Sequence, residues 1–423
     1  MNEYNCDLHY HGLHAGGVSK NMLIPVIAEQ AQLKGLDVVV SADITHKPWL
    51  DHCKETLKEI ENGVYVHEPF STQFLIGTEV QDQFRVHHLI YLEDLARAQE
   101  LREKLKPFGN IDGIMMGRPL LKLNGEKLAE LVEQVNGIIG PAHAFTPYFG
   151  VYAHYNSVRA CYGALADKVK FIELGLSADT YFADLIQENH SYNFFSFSDS
   201  HSPWPNRIGR EFTRIAMKKP SFKELKHALE RKESNRITLN AGLDPREGKY
   251  HATACNDCYA HYTLEQAVQL KWKCMKCKHA IKKGVRDRIS ELATFKEETH
   301  PSWRPPYLHV LALAEIIQLT LNAKKPEDPR VQEIWKKFVE RFGNEINALI
   351  EAPIAQLKEV HVEVGENVEA FRAGRVLYYP GGGGNYGKPF ICKNEKEMEL
   401  KRKEIETLHL SQSLAGQKTL GEY

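Results

Sequence analysis

The stretch Asp7-Leu8-His9-Tyr10-His11 decides the fold of this chain of 423 residues. Side chains alternate along a strand, so His9 and His11 are expected to lie on one face and to bind one metal ion together. Asp199 and His201 repeat the same spacing after a later apolar run. We therefore expect strands that deliver metal ligands to a shared centre.

Apolar runs alternate with amphipathic stretches through the first two hundred residues, and residue types that bind metals recur at the ends of these runs. This alternation predicts an α/β domain with a largely parallel sheet. Metal ligands at successive strand ends are typical of a barrel whose site lies at the C-terminal face of its strands. The apolar runs are Asp37 to Ala42, Phe74 to Val80, Val86 to Leu92, Gly137 to Pro141, Lys170 to Leu176 and Asn193 to Ser198.

The composition is that of an ordinary globular protein, with 43% hydrophobic and 26% charged residues. The 54 lysines and arginines nearly balance the 55 acids, so contact with nucleic acid would need a local basic patch. No apolar run approaches the length of a membrane span, and we expect no membrane contact. The polar segment Met1 to His11 is unlike a secretory signal, and the cysteine pattern is typical of a reducing compartment. We expect a cytoplasmic protein that is associated with the nucleoid when bound to DNA.

The motifs resemble those of the PHP (polymerase and histidinol phosphatase) superfamily, whose fold is a distorted seven-stranded β/α barrel with a metal cluster. The usual adjacent Asp-His of that superfamily is altered here to Asp43 and His46, which leaves open which of the two binds metal. His87 is expected to point to the face opposite His88 and to be structural. The ligands implied by the resemblance are His9, His11, Asp43, His46, Glu79, His88, His143, Asp199 and His201, and the implied catalytic residues are Asp199, Glu79 and His143.

Such a ligand set suits two or three divalent ions of Zn, Mn, Mg or Fe rather than Ca. Two ions about 3.5–4 Å apart can activate a bridging water and neutralise charge on a phosphoryl group. Hydrolysis of a phosphoester is therefore the leading prediction for the reaction.

Cys255-x-x-Cys258 and Cys274-x-x-Cys277 are separated by fifteen residues. This spacing lets two tight turns converge on one tetrahedral zinc ion. Because sulfur fills all four positions, we predict one structural zinc in a small ribbon.

A basic run overlaps this cysteine module, with eight lysines and arginines against one acid between residues 271 and 288. Such a run is usually a solvated surface, but on a zinc ribbon joined to a phosphoesterase it favours contact with a DNA backbone. The Gly-rich segment 380–388 is either a flexible loop or a place where backbone amides approach a phosphate. The predicted DNA-binding residues are Lys271, Lys273, Lys276, Lys282, Lys283 and Arg286, together with Arg207 and Arg210 after the Asp199 motif.

The order of these parts along the chain resembles the endonuclease Q family. We expect a metal-dependent phosphoesterase barrel over 1–235, a four-cysteine module over 250–285, a mainly helical domain over 286–408 and a tail over 409–423. The resemblance implies a DNA-repair endonuclease that cuts damaged double-stranded or single-stranded DNA on the 5′ side of uracil, hypoxanthine, xanthine and abasic sites. It also implies products with 3′-hydroxyl and 5′-phosphate ends.

The tail carries Gln417, Leu420 and Tyr423 at the spacing of a peptide that binds the replication sliding clamp. Two alternatives stay open for the whole chain. One is a PHP-family phosphatase that acts on a small phosphomonoester, and the other is a non-catalytic adaptor that binds DNA or the clamp.

Overall fold

Strand β1 (Asn2–Asp7) ends just before His9 and His11. The computed structural model describes residues 1–417, with the side chains of residues 1–407. The elements that follow β1 are α1 (Ile24–Lys34), β2 (Val38–Val40), α2 (Lys47–Thr56), β3 (Lys58–Glu61), β4 (Val64–Val66), β5 (Gln73–Gln81), β6 (His87–Leu92), α3 (Leu95–Leu105), α4 (Gly125–Gln134), β7 (Ile138–Pro141), α5 (Val151–His154), α6 (Val158–Tyr162), β8 (Phe171–Glu173), α7 (Thr180–Ala183) and β9 (Asn193–Phe195).

Seven of these strands form a distorted barrel, in the order β1, β2, β5, β6, β7, β8 and β9. The amide of Ala144, just after β7, donates to the carbonyl of Glu173 at the end of β8, at 2.7 Å. The amide of His11 donates to the carbonyl of Ser200 at 3.0 Å, which closes the ring between the chain after β9 and the chain after β1. The predicted α/β barrel is therefore confirmed.

The sheet is less parallel than the sequence predicted. Strands β1, β2 and β5 pair in parallel, as do β8 and β9, but β6 runs antiparallel to both β5 and β7. The connection between β5 and β6 covers only residues 82–86, and a connection that short joins antiparallel strands because a parallel crossover needs a dozen residues or more. A hairpin of β3 and β4, which was not predicted, pairs with the start of β5 on the side opposite β2, and β6 pairs with the rest of β5.

The sheet continues beyond the barrel on the other side of β1. Strand β10 (Phe212–Met217) pairs antiparallel with β1, and after helix α8 (Phe222–Glu230) strand β11 (Arg236–Gly242) pairs antiparallel with β10. The four cysteines lie in the module that follows. Its elements are β12 (Ala254–Cys255), α9 (Leu264–Gln269), β13 (Ile281–Lys282) and α10 (Val285–Leu292).

The remaining region is mainly helical, as predicted, and it packs directly on the barrel. Its first strand, β14, pairs in parallel with β11, and one continuous apolar core extends from the barrel into its helices. Lys34 at the end of α1 is buried against Glu345, with Nζ and Oε1 2.7 Å apart. The elements are β14 (Tyr307–His309), α11 (Leu313–Thr320), α12 (Pro329–Phe342), α13 (Ile354–Val360), α14 (Val362–Arg372), β15 (Val376–Tyr379), β16 (Lys388–Ile391) and α15 (Glu395–Gln417).

The division into parts at residues 235, 250, 286 and 409 stays a prediction. Among residues 1–417, no helix combines the length and the apolar character needed to cross a lipid bilayer. The side chains of the predicted clamp-binding residues Gln417, Leu420 and Tyr423 lie outside the described residues.

Candidate metal centre

His9 and His11 are held in place by buried carboxylates behind them. The Nδ1 atom of His9 lies 2.9 Å from both carboxylate oxygens of Glu173, and Nδ1 of His11 lies 3.1 Å from Oδ1 of Asp43. A carboxylate on one ring nitrogen fixes the orientation of the imidazole and directs the other nitrogen at a metal ion. Both Nε2 atoms are therefore positioned as ligands to one centre.

Asp199 completes this group. Its Oδ1 lies 3.6 Å from Nε2 of His9 and 3.5 Å from Nε2 of His11. Both Oδ1 of Asp199 and Nε2 of His9 are buried and have no hydrogen-bond partner among residues 1–407. Buried polar atoms without partners are costly, and a divalent ion between these three atoms would satisfy them. The residues present therefore fit a metal ion.

A second group of ligand atoms meets the first at Glu79. Oε1 of Glu79 lies 3.0 Å from Nδ1 of His87 and 3.0 Å from Nε2 of His143, while Oε2 lies 3.3 Å from Nε2 of His11. One carboxylate thus contacts imidazoles of both groups. The two groups of ligand atoms therefore form one centre that Glu79 connects.

In strand β6 the structure corrects the predicted ligand. His88 was expected to bind metal and His87 to be structural, but His87 is the residue that contacts Glu79 and His143. His88 lies on the opposite face of β6, with Nε2 3.5 Å from Oδ2 of Asp82. Adjacent residues of a strand point to opposite faces, so only one of the two can reach the centre.

Asp43 and His46, the two residues of the altered motif, have different surroundings. Both oxygens of Asp43 are engaged, one at Nδ1 of His11 and the other accepting a hydrogen bond from the amide of Gly12 at 2.7 Å. Asp43 therefore orients His11 instead of facing the centre itself. The ring of His46 lies against that of His14, with centroids 4.8 Å apart. The ring of His201 contacts the ring of His11, with centroids 4.7 Å apart.

The backbone takes unusual conformations where it presents these side chains. Asp43, His143 and Asp199 have φ values of 31°, 28° and 44°, a region that residues other than glycine rarely adopt. Buried Asp7 fixes the segment around Asp199, because its carboxylate accepts hydrogen bonds from the amides of Ser198 at 3.1 Å and Gly209 at 2.9 Å. Strain that is held by neighbouring contacts is common at functional sites.

The electrostatics of the centre favour cations. Burial alone would raise the pKa of Glu79, but His87, Arg118 and His9 hold it well below its usual value. The pKa of Asp199 is also held well below its usual value, since His9 and His11 outweigh the effect of burial. Burial lowers the pKa of His9, yet Glu173, Glu79 and Asp199 together raise it to about 9. A site with this much negative charge attracts protons or metal ions.

Two contributors to the centre were not predicted from the sequence. Glu173 is the one acid in the run Lys170 to Leu176 and is completely buried, and a buried acid in a strand is a signal of function. Arg118 donates from Nη1 to Oε2 of Glu79 at 3.0 Å and lies 3.4 Å from Nε2 of His11. It comes from the long segment between α3 and α4, where no pattern in the sequence marks it.

A cavity of about 600 Å³ opens beside the centre. One part of its wall is the centre itself, including His87, His143, Asp199 and His201. The rest of the wall carries cations and aromatic rings, namely Arg118, Arg207, Arg210, Lys249, Tyr148, Phe149, Tyr250 and Tyr386. Of the predicted phosphate contacts, Arg207 is half-buried in this wall, and Arg210 is buried with Nη1 3.3 Å from the hydroxyl of Tyr386.

The Gly-rich loop has a different use from either prediction. Its amides donate to the protein itself, from Gly381 to the carbonyl of Arg246 at 2.8 Å and from Gly387 to the carbonyl of Glu247 at 2.8 Å. A Cβ on Gly387 would lie 2.2 Å from the carbonyl oxygen of Arg246, so glycine is needed for this close approach. These amides of the loop therefore bind the protein's own backbone, and the loop places Tyr386 in the wall of the cavity.

The four cysteines of the module come together as the spacing predicted. Sγ of Cys277 lies 3.4 Å from Sγ of Cys255 and 3.5 Å from Sγ of Cys258, and Cys258 lies 3.5 Å from Cys274. These separations are close to the edges of a tetrahedron around one zinc ion, about 3.8 Å for Zn–S bonds of about 2.3 Å. The thiols are free, and the donor set fits a structural zinc.

The module sits beside the cavity through Tyr148. Nδ2 of Asn256 donates to the hydroxyl of Tyr148 at 3.0 Å, and Nζ of Lys282 lies 3.7 Å from the centroid of its ring. Of the predicted DNA contacts, Lys271, Lys273, Lys276 and Arg286 are exposed, whereas Lys282 and Lys283 are half-buried. Lys283 also pairs with Glu291, with Nζ and Oε1 2.5 Å apart. The exposed cations thus lie on a module that borders the cavity.

Three comparisons place the chain among known proteins. A family model described as the MJ0043 C-terminal domain matches residues 312–375. The protein MJ0043 of Methanocaldococcus jannaschii is 39% identical over 320 residues, which are 72% of this chain and 40% of that protein. This chain therefore spans less than half the length of that relative.

Two solved structures match almost the whole chain. PfuEndoQ, a lesion-specific endonuclease from Pyrococcus furiosus, is 43% identical with a TM-score of 0.86, over 92% of this chain and 96% of that one. Endonuclease Q in complex with a 27-mer duplex substrate, with an abasic lesion at its active site, is 42% identical with a TM-score of 0.88, over 94% of this chain and 98% of that one.

The barrel and its centre of imidazoles and carboxylates define the class of fold, a PHP-type barrel whose ligand atoms fit divalent metal ions. At this identity over nearly the full length of both chains, the chain belongs to the endonuclease Q family.

Proposed function

We propose that this protein is a metal-dependent DNA-repair endonuclease. It hydrolyses the phosphodiester bond on the 5′ side of an abasic site or of a deaminated base, namely uracil, hypoxanthine or xanthine, and leaves 3′-hydroxyl and 5′-phosphate ends. The reported complex of an endonuclease Q with abasic duplex DNA supports the abasic substrate. The deaminated bases rest on the family resemblance.

The observation that carries the proposal is the cavity next to Asp199. Its volume of about 600 Å³ suits one nucleotide that has left the duplex, and its wall offers aromatic faces to a base and cations to a phosphate. A small phosphomonoester would need neither the aromatic wall nor the exposed basic module beside it. Extrusion costs least where base pairing is already weak, which gives selectivity for lesions a physical basis.

Divalent ions bound to this centre would activate water and neutralise charge on the scissile phosphate. The chain's own residues orient the reaction. Glu173 and Asp43 hold His9 and His11, and Asp7 holds the backbone that presents Asp199. Arg118, with its guanidinium against Glu79, is positioned to contact a phosphate oxygen as negative charge develops on it.

The exposed cations of the zinc module supply contact with the DNA backbone. Lys271, Lys273, Lys276 and Arg286 are unlike the half-buried Lys282, which is already packed on Tyr148. Contacts of this kind carry no sequence information and weaken with salt. Binding by this surface therefore suits an enzyme that searches duplex DNA for rare lesions. We propose that the protein is cytoplasmic and lies at the nucleoid when it is bound to DNA.

The test is incision of end-labelled duplexes that contain one abasic site, uracil or hypoxanthine, with Mg, Mn or Zn supplied. Wild-type protein is expected to cut 5′ of the lesion and to leave undamaged duplex intact. Asp199→Asn should lose more than about 100-fold in rate and still bind the duplex, because it removes a charged ligand. Asparagine tolerates the positive φ of this position better than most residues, which favours folding of the variant.

The matched control is Asp167→Asn, an exposed acid whose side chain is 81% accessible. It should cut at the wild-type rate. Hydrolysis of small phosphate esters without any incision would favour the phosphatase alternative. Tight binding to DNA without hydrolysis of either substrate would favour the adaptor.

We also propose that the tail of the protein binds the replication sliding clamp. Gln417, Leu420 and Tyr423 have the spacing of a clamp-binding peptide, with an aliphatic residue three positions and an aromatic residue six positions after the glutamine. Deletion of residues 417–423 should abolish clamp binding and leave incision unchanged. Equal clamp affinity of the full-length and shortened proteins would refute this part alone.

A further inference from the structure

Three buried side chains with metal-ligand atoms meet on the face of β6 that points away from the catalytic centre. Asp82 lies in the connection between β5 and β6, His88 lies in β6, and Cys161 lies in α6. Asp82 and His88 are completely buried, and Cys161 is 3% exposed. One ligand atom from each, Oδ2, Nε2 and Sγ, lies within 4.8 Å of the other two.

The facing atoms of Asp82 and His88 lack hydrogen bonds, although their other atoms are fully engaged. Among residues 1–407, neither Oδ2 of Asp82 nor Nε2 of His88 has a hydrogen-bond partner. Oδ1 of Asp82, in contrast, accepts from the amides of Phe84 and Val86, each at 2.8 Å. Nδ1 of His88 lies 2.7 Å from the hydroxyl of Tyr162. Two inward atoms are thus oriented but unsatisfied, which is costly in a protein interior.

The spacing of the two atoms suits a shared ion better than a direct hydrogen bond. Nε2 and Oδ2 are 3.5 Å apart, longer than the usual 2.7–3.2 Å of a bond between nitrogen and oxygen. Two ligands of one tetrahedral zinc with bonds of about 2.0–2.1 Å are about 3.3 Å apart. A hydroxyl on the far nitrogen of a metal-binding histidine is also the outer contact that fixes such a ring.

The charges at this cluster call for a cation. In the part of the chain with described side chains, the ion-pair partner of Asp82 is His88 alone. A thiolate from Cys161 and a carboxylate from Asp82 would together balance one divalent ion, with His88 neutral. Gly125 at the start of α4 makes room for the cluster, since a Cβ there would lie 2.7 Å from Sγ of Cys161 and 3.3 Å from Cε1 of His88.

We propose that Asp82, His88 and Cys161 bind a structural zinc ion, separate from both the catalytic centre and the four-cysteine module. A nitrogen, an oxygen and a sulfur ligand suit Zn²⁺, with a water as the fourth ligand. The ion would tie the turn between β5 and β6 to α6. Because His87 is the neighbour of His88 in β6, the site would also fix the strand that presents His87 to Glu79.

The test is anomalous diffraction from crystals of the full-length protein grown with zinc, measured above and below the zinc absorption edge. We expect a peak within about 2.0–2.3 Å of Nε2, Oδ2 and Sγ of the three residues. The four-cysteine module serves as the internal reference. A peak in that module without one at Asp82, His88 and Cys161 would overturn the proposal.

A second measurement counts zinc ions by native mass spectrometry of the full-length protein. Cys161→Ala should retain one ion fewer than wild type, and Cys392→Ala, which removes another buried thiol, should retain the full number. An unchanged count in Cys161→Ala would contradict the proposal. If Cys161→Ala does not fold, the diffraction from wild-type crystals still decides. Neither readout depends on incision, so the proposed function and this site are tested separately.

Discussion

Nδ1 of His87 lies 3.0 Å from Oε1 of Glu79, whereas the ring of the next residue, His88, lies on the other side of the same strand. His87 also contacts His143, with Nδ1 3.2 Å from Nε2. Strand β6 thus contributes one histidine to the catalytic centre. Which histidine this is depends on which side chains of the strand point toward the centre.

This relationship predicts the effect of exchanging His87 for glutamine. His87→Gln should lower the rate of incision about 10- to 100-fold and weaken metal binding at the centre. His67→Gln, which changes a half-buried histidine bonded to the carbonyl of Thr56, is the matched control and should leave the rate unchanged. A folded His88→Gln variant that lost incision while His87→Gln kept it would contradict the assignment.

The choice between these histidines shows what sequence could and could not provide. Alternation along a strand predicts that His87 and His88 face opposite ways, but it does not say which of the two faces the centre, because the residues around them are apolar on both faces of the strand. The pair His9–His11 was easier, because the spacing places both members on one side of an extended segment. Asp199 and His201 also lie at the centre, although Asp199, with a φ of 44°, is not part of a strand. The four-cysteine site was the most predictable part, since two C-x-x-C turns at this spacing are typical of a metal site.

Other parts of the site depend on tertiary contacts that leave no local pattern. Arg118 reaches Glu79 from a long irregular segment, and Tyr386 reaches Arg210 from a loop far along the chain. The barrel was predictable from alternating apolar runs. The antiparallel pairing of β6 was not expected, although the short connection at residues 82–86 indicates it.

Arg118 is expected to act on the substrate and not on metal binding. Its guanidinium contacts Glu79 from the cavity side and is 25% exposed, so a phosphate can replace part of this contact. Arg118→Ala should lower kcat about 100-fold while the metal content stays the same. Arg97→Ala, which removes an exposed arginine paired with Glu100, should have no effect on either quantity. Loss of metal in parallel with activity would instead make Arg118 a structural part of the centre.

The four-cysteine module is expected to depend on a bound metal ion more than the barrel does. Its separate apolar cluster is small, with Cys255, Ala267, Cys274 and Ile281 as the fully buried members among the described residues. A core of this size does not fold a module alone, so the ion must contribute. Cys277→Ser should make the module sensitive to protease and weaken DNA binding, with the thermal transition of the barrel retained. Cys392→Ser is the control, and equal protease sensitivity of the two variants would refute this prediction.

The buried pair of Lys34 and Glu345 is expected to hold the C-terminal helices on the barrel. Glu345 also accepts hydrogen bonds from Nε1 of Trp335 at 2.6 Å and from the amide of Leu313 at 3.1 Å. Glu345→Gln removes the ion-pair partner of the buried Lys34 ammonium and should cost about 3 kcal/mol in the free energy of unfolding, measured with urea. Asp51→Asn breaks an exposed pair with Lys47 and should cost less than about 0.5 kcal/mol. Similar losses in the two variants would show that burial of the pair is unimportant.

Metal binding at the catalytic centre is expected to become tighter as the pH rises toward 9. Burial lowers the pKa of His9, but Glu173, Glu79 and Asp199 raise it to about 9 in the metal-free protein, and the pKa of His11 is raised as well. Below that pH a metal ion must displace a proton from His9, because only the neutral imidazole is a ligand. The dissociation constant should therefore rise about tenfold for each proton displaced and each pH unit lowered between 9 and 7.

Competition with a chromophoric chelator at pH 7, 8 and 9 measures this dependence, with the four-cysteine module kept loaded throughout. Glu173→Gln removes the carboxylate that raises the pKa of His9 most, so its pH dependence should be shallower and centred at lower pH. The sign follows from the loss of a negative charge beside the protonated ring, which makes the proton easier to displace. An affinity that is independent of pH between 7 and 9 in the wild-type protein would mean that His9 is already neutral before the metal arrives.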